Sequence, residues 1–174
     1  MSKAFTDEEA AELPRVVPPR APLPEGIPNY VTEAGFALLR VELAGLEAER
    51  AAFEREPEAA GRAQSLAALA HRRAELEERI ASAEVVPLPP EPRDKVRFGA
   101  TVTVGGAGGV RRYRIVGVDE ANAALGKIAF VSPLARALLG SAVGDTARLR
   151  APRGEEELEI IAVEYAAETA NEPG

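Results

Sequence analysis

The chain has 174 residues, 46% of them hydrophobic and 28% charged, which is enough for one medium folded domain or two small ones. With no cysteine and a single histidine it can hold no disulfide framework and no thiolate metal site, and a zinc centre lacks its usual ligands. Aromatics at 5% without tryptophan speak against a large aromatic-lined pocket, and a net charge of -7 speaks against tight, sequence-independent DNA binding, which depends on neutralising phosphates. Any action on nucleic acid is therefore expected to run through a protein partner. The N-terminus is acidic and Pro-rich where a signal peptide would need an apolar core, and no apolar run approaches the length of a membrane span, so a cytoplasmic location is expected.

Residues 1–30 are dense in proline, including Val17-Pro18-Pro19 and Leu23-Pro24, which blocks both helix and sheet ladders. This arm reads as extended or disordered, with a helical turn allowed at Asp7 to Leu13. It is either a solvated tail or a docking segment.

Residues 31–86 carry helical periodicity. Thr32 suits an N-cap, and Glu33 follows in the first turn, where the helix dipole favours a carboxylate. Phe36, Leu39, Leu43, Leu46 and Phe53 recur at heptad spacing, with Arg50 in the skipped position. Pro57 and Gly61 break the pattern. A second seam runs through Leu66, Leu69, Leu76, Ile80 and Ala83, with Arg73 in its skipped position, and ends at the prolines 87, 89, 90 and 92. Two single-seam helices of about 22–25 residues joined by a short break predict an antiparallel αα-hairpin about 35 Å long. One apolar seam per helix favours a projecting coiled-coil finger over a compact bundle. Between residues 33 and 84 eleven acidic side chains stand against seven basic ones. Most of Arg62, Arg72, Arg73 and Arg79 thus read as flanking charges of the coiled coil, with contact to RNA or to the wall of a partner's channel as the alternative.

After a Pro-rich linker at 87–94, period 2 and β-branched residues take over across 95–166. Val96 to Val104 predicts a strand, the Gly105-Gly106 and Gly108-Gly109 pairs a turn, Val110 to Val118 a returning strand, and Ile128 to Val131 a third. Ser132-Pro133 starts a short helix, Leu134 to Leu139, with Gly140 after its end. Strands at Ala147 to Arg150 and Leu158 to Tyr165 complete the domain, and residues 167–174 read as a flexible tail. The fold class is α+β.

Six motifs follow one another in this second half: Phe98-Gly99-Ala100-Thr101-Val102, Tyr113-Arg114-Ile115-Val116-Gly117, Asp119-Glu120-Ala121, Ser132 to Gly140, Gly144-Asp145 and Val163-Glu164-Tyr165. Together they resemble the C-terminal domain of the bacterial Gre transcription-elongation factors, and Thr32 to Leu46, including Gly35, resembles the opening of the Gre first helix. The resemblance implies an FKBP-like C-terminal domain that docks on RNA polymerase, and a coiled-coil finger that enters the polymerase secondary channel. It implies no catalytic residue and no metal site in the chain itself, with Mg²⁺ belonging only to the polymerase active site. At the tip of such a finger, acidic residues complete a two-metal phosphodiester hydrolysis performed by the polymerase. The chain would be a monomer that meets nucleic acid only through the polymerase.

The family's tip motif, G-D-x-x-E-N, is missing here, and the hairpin is shorter by about two heptads, one from each arm, or about 10 Å. Its tip would be Glu54, Glu56 and Glu58, either approaching the polymerase active site or forming a solvated turn. The resemblance places the polymerase-docking residues at Phe130, Val131, Ser132, Pro133 and Arg136; the other reading is that Ser132 and Pro133 only start a helix. His71 has no assigned role, and Arg114, Asp119 and Glu120 read as structural. A runner-up is the related group known as regulators of nucleoside diphosphate kinase, which carry the same domain behind a shorter hairpin. A remote alternative is a peptidyl-prolyl isomerase, for which Phe98, Tyr113, Phe130 and Tyr165 would have to form the proline pocket.

Overall fold

A computed structural model describes residues 20–55, 61–90, 93–151 and 154–166. Glu56, Pro57 and Glu58, the N-terminal 19 residues and the tail 167–174 lie outside them. From Arg20 the chain runs without regular structure, apart from a turn at Glu25-Gly26, into a short strand β1 (Asn29–Val31) and then helix α1 (Glu33–Arg55). Helix α2 (Arg62–Ser82) returns antiparallel and passes directly into β2 (Ala83–Val85). Strands β1 and β2 pair in parallel, Asn29 opposite Ala83 and Val31 opposite Val85, and so tie the hairpin at its base.

Helices of 23 and 21 residues agree with the expected length, about 32–35 Å at helical rise. The seam is as the heptads require. Leu39, Leu46, Leu69 and Leu76 are buried together with Val31 of β1, and Phe36, Leu43, Phe53, Ile80 and Ala83 pack around them. In the skipped seam positions Arg50 is exposed and Arg73 half-buried. Arg50 bonds Glu54 at 2.9 Å, and Arg73 bonds Glu77 at 2.9 Å while lying 3.8 Å from Glu47 across the hairpin. Such exposed pairs contribute only tenths of a kcal/mol each.

The second half is a five-stranded mixed sheet in the order β5-β4-β3-β7-β6, formed by β3 (Thr101–Gly106), β4 (Gly109–Val116), β5 (Lys127–Ala129), β6 (Thr146–Ala151) and β7 (Gly154–Glu164). All its pairings are antiparallel except β4 with β5. A register shift between Thr103 and Val104 marks an irregularity in the β3–β7 ladder. One face carries the core: Val102, Val104, Ile115, Leu158 and Ile160, covered by Ala135 and Leu138 of the short helix α3 (Pro133–Leu138) and closed by Val96 and Ala100. A helical hairpin followed by a small curled sheet with one helix is the expected α+β arrangement.

Three local expectations are corrected. Residues 96–100 form no strand: the chain turns at Gly99, φ +83°, a conformation only glycine holds cheaply. The third strand is Lys127–Ala129, not 128–131, so Phe130 and Val131 belong to the loop before α3. The parallel pair β1–β2 was not foreseen, and it begins inside the segment read as an arm.

Candidate functional site

Two regions were expected to act, and the structure adds a third that joins them. The loop into α3 is the first. Ser132 accepts the backbone N–H of Ala135 at 3.2 Å with its hydroxyl, so it is an N-cap, and Pro133 occupies the first turn, where its missing N–H costs nothing. Pro133 and Arg136 are exposed, and Val131 and Ser132 are half-buried. Phe130 faces inward instead. Its ring lies 5.5 Å from Tyr30 and 5.7 Å from Phe98, and Tyr30 and Phe98 are 6.0 Å apart. These three tilted or edge-on rings bridge β1 to the sheet domain, an arrangement worth about 0.5–1.5 kcal/mol per pair beyond the area buried.

The far end of the hairpin is the second region. Of the expected tip carboxylates only Glu54 is described. It is exposed, its carboxylate accepts from Arg50, and its backbone carbonyl lies 3.5 Å from the Arg62 guanidinium. A carboxylate held by an arginine is a poor metal ligand until that pair breaks. No group of three His, Asp or Glu side chains that could hold a metal ion occurs among the described residues. His71 sits on the exposed face of α2, 3.6 Å from Glu75.

The third region is the turn after β4, residues Gly117 to Glu120, which meets the base of the hairpin. Glu120 accepts the backbone N–H of Thr32 at 2.9 Å, the Thr32 hydroxyl, and the backbone N–H of Gly117 at 3.2 Å. The side chain of Asp119 is almost wholly buried. It accepts from Arg20 at 3.0 Å and lies 3.7 Å from the guanidinium of Arg79 on α2. Arg20 in turn reaches Glu42 on α1, and Arg79 donates to the carbonyl of Ala21. Burial works against the Arg20 charge, yet its bonds to Glu42 and Asp119 outweigh that and hold the guanidinium above its ordinary range. Arg79 is therefore an interior residue at the hairpin base, not a flanking charge of the coiled coil. Asn29 bonds the Arg79 carbonyl at 2.9 Å from the opposite side.

The family model described as "Transcription elongation factor, GreA/GreB, C-term" matches residues 91–165, the linker and the sheet domain. The transcription elongation factor GreA of Anaeromyxobacter sp. (strain K) is 48% identical over 99 residues, 56% of this chain and 60% of that protein. GreA of Hyphomonas neptunium is 44% identical over 96 residues, 54% of this chain and 61% of that protein. Residues 91–165 thus form a domain similar to the C-terminal domain of the GreA/GreB factors.

The matched segments span about three-fifths of the length of these GreA relatives. Among solved structures, GreA factor homolog 1 (Gfh1) of Thermus thermophilus is 24% identical, covering 78% of this chain and 97% of that one with a TM-score of 0.38. A GreA/GreB elongation factor from Nitrosomonas europaea is also 24% identical, covering 78% and 98% with a TM-score of 0.39.

The residues that sequence reasoning missed are those joining the sheet domain to the hairpin: Tyr30, Arg79 and the inward role of Phe130. Asp119 and Glu120 were read as structural, and they are, but across two domains. A signal existed at Thr32-Glu33-Ala34-Gly35, where an N-cap threonine is followed three residues later by glycine in place of the usual Glu or Gln.

Proposed function

We propose that this chain is a Gre-type, RNA polymerase-binding transcription factor that regulates elongation by occupying the polymerase secondary channel with its hairpin, and that it does not itself catalyse a reaction. The observation that carries this reading is a GreA/GreB domain, up to 48% identical to named elongation factors, placed directly behind a single-seam antiparallel hairpin. Docking falls to the exposed Pro133 and Arg136 beside the capped Ser132 and half-buried Val131. The polymerase supplies both the metal ions and the chemistry.

Occupancy is favoured over stimulated RNA cleavage on two grounds. The sequence has no G-D-x-x-E-N tip, and Glu54, the last described carboxylate of α1, is paired with Arg50. A carboxylate that completes a two-metal site must reach metal-ligand distance, about 2.0–2.2 Å. A finger two helical turns short, with its acid paired, does not deliver it.

The test uses purified polymerase from the source organism, stalled and backtracked on a template. Co-elution together with slowed elongation and no added transcript cleavage is the expected result. Cleavage above the polymerase-alone rate would overturn the occupancy reading and make Glu54, Glu56 and Glu58 the residues to mutate. Failure to co-elute would remove the polymerase reading altogether.

A further inference from the structure

We infer that the hairpin is aimed by a capping box divided between the two domains, in which Glu120 acts as the missing third-position glutamate of α1 and thereby fixes the finger relative to the docking loop. In an ordinary capping box the N-cap Ser or Thr hydroxyl accepts from the backbone N–H three residues on. The Glu or Gln at that third position then reaches back to the N–H of the cap residue. The first half is present here: the Thr32 hydroxyl accepts from Gly35 N at 3.0 Å. The second half comes from elsewhere in the chain, because Thr32 N donates to Glu120 Oε1 at 2.9 Å across 88 residues of sequence.

Gly35 explains why. Its φ is not positive, so backbone conformation does not demand glycine. Space does: a Cβ on Gly35 would overlap Cγ, Cδ and Oε1 of Glu120. The volume that a local third-position side chain would fill is filled by Glu120. The other side of the carboxylate is cleared in the same way at Gly117, where a Cβ would stand 2.9 Å from Glu120 Oε1 and 2.5 Å from the Tyr30 carbonyl oxygen. Two glycines, one on each domain, thus close around one carboxylate.

The bond aims the finger because of where Glu120 sits. Phe130 N donates to Val116 O at 2.9 Å, so the docking loop hangs on the residue next to Gly117. The start of α1 and the start of the docking loop are therefore fixed to the same end of β4. Asp119 holds the second helix through Arg79, which prevents the hairpin from pivoting about Thr32 alone. Glu120 is a positioning residue, and the functional consequence of its position rests on the polymerase reading above.

The absence of cysteine allows a direct measurement. Ala52→Cys near the far end of α1 and Val110→Cys in the sheet domain, both exposed, accept a pair of spin labels, and pulsed electron resonance reads the distance between them. The labelled chain is compared with Glu120→Ala and with the double variant Gly35→Glu/Glu120→Ala, which moves the capping box back into α1. A single narrow distance is expected for the parent, and a distribution at least twice as broad for Glu120→Ala. The double variant is expected to recover the helical circular dichroism and the amide protection of Thr32, and to stay broad. A distribution as narrow as the parent's in the double variant would overturn the inference, since Glu120 would then be only a helix cap. Because that variant restores the cap locally, it decides the matter even if Glu120→Ala alone does not fold.

The polymerase arm separates the two readings. If the double variant still co-elutes with polymerase but loses the effect on elongation, aiming is supported. An unchanged effect alongside a broad distribution would leave the divided capping box standing and overturn its consequence for elongation. If the parent does not co-elute, the polymerase reading fails while the distance measurement still decides the divided capping box.

Discussion

Tyr165 shows how one side chain closes a small sheet domain. Its phenol donates to the Lys95 carbonyl at 2.6 Å and accepts the Arg97 N–H at 2.9 Å, joining the end of the domain to its beginning across 70 residues. Burial raises its pKa above the ordinary 10.0, and the Arg97 N–H and the charges of Arg97 and Arg93 oppose that without cancelling it. The neutral phenol is thus the form the fold prefers, as it must be to donate to Lys95. The associated stabilisation is fully present below the unfolded-state pKa, about 10, and is lost as pH rises through the higher folded-state value. Ultraviolet titration of the folded protein compared with Tyr165→Phe should show the missing phenol to be one that ionises above pH 10. The same substitution should cost about 0.5–1.5 kcal/mol in urea unfolding, the usual net worth of hydrogen bonds at an edge where water can replace the phenol. A difference spectrum centred at or below pH 10 would mean that burial does not dominate at this site.

At the scale of elements, the hairpin was legible because its signal is periodic and long. Seven-residue spacing names Leu39, Leu46, Leu69 and Leu76 as interior, and those four are buried. The strands β1 and β2 were not legible. Three residues are too few to show alternation, and their pairing joins positions 29–31 to 83–85, a separation that no local pattern reports. The same limit hid Arg79, whose spacing suits a coiled-coil flank and whose burial depends on Asp119, 40 residues later. Because the finger has only one seam, each of its leucines carries a large share of its stability. Leu76→Ala, at a fully buried position, should therefore destabilise by about 2–5 kcal/mol, visible as a lower urea midpoint in the helical signal. Leu66→Ala, at a half-buried position near the far end, should cost clearly less. Equal losses would mean that the hairpin does not rely on the interior seam described here.

For the whole molecule, the docking region was named from the sequence as five residues of one kind, and the structure divides them. Phe130 packs against Tyr30 and Phe98 and belongs to the joint between domains; Ser132 caps α3; Pro133 and Arg136 face outward. Spacing alone could not make this division, because the partner of Phe130 lies a hundred residues earlier in the chain. The division makes two substitutions informative when set side by side. Pro133→Ala with Arg136→Glu leaves the Ser132 cap and the aromatic joint untouched, so the melting temperature should stay within a few degrees while affinity for polymerase falls at least tenfold, about 1.4 kcal/mol. Phe130→Ala removes one ring of the three-ring bridge and should instead destabilise by about 2–4 kcal/mol, Phe130 being half-buried. Its effect on polymerase affinity should follow the fraction of chain left folded. If the surface pair leaves affinity unchanged, the docking face lies elsewhere on the sheet domain. If Phe130→Ala abolishes binding without loss of stability, its ring turns outward when the partner arrives, and the joint between hairpin and sheet opens on docking.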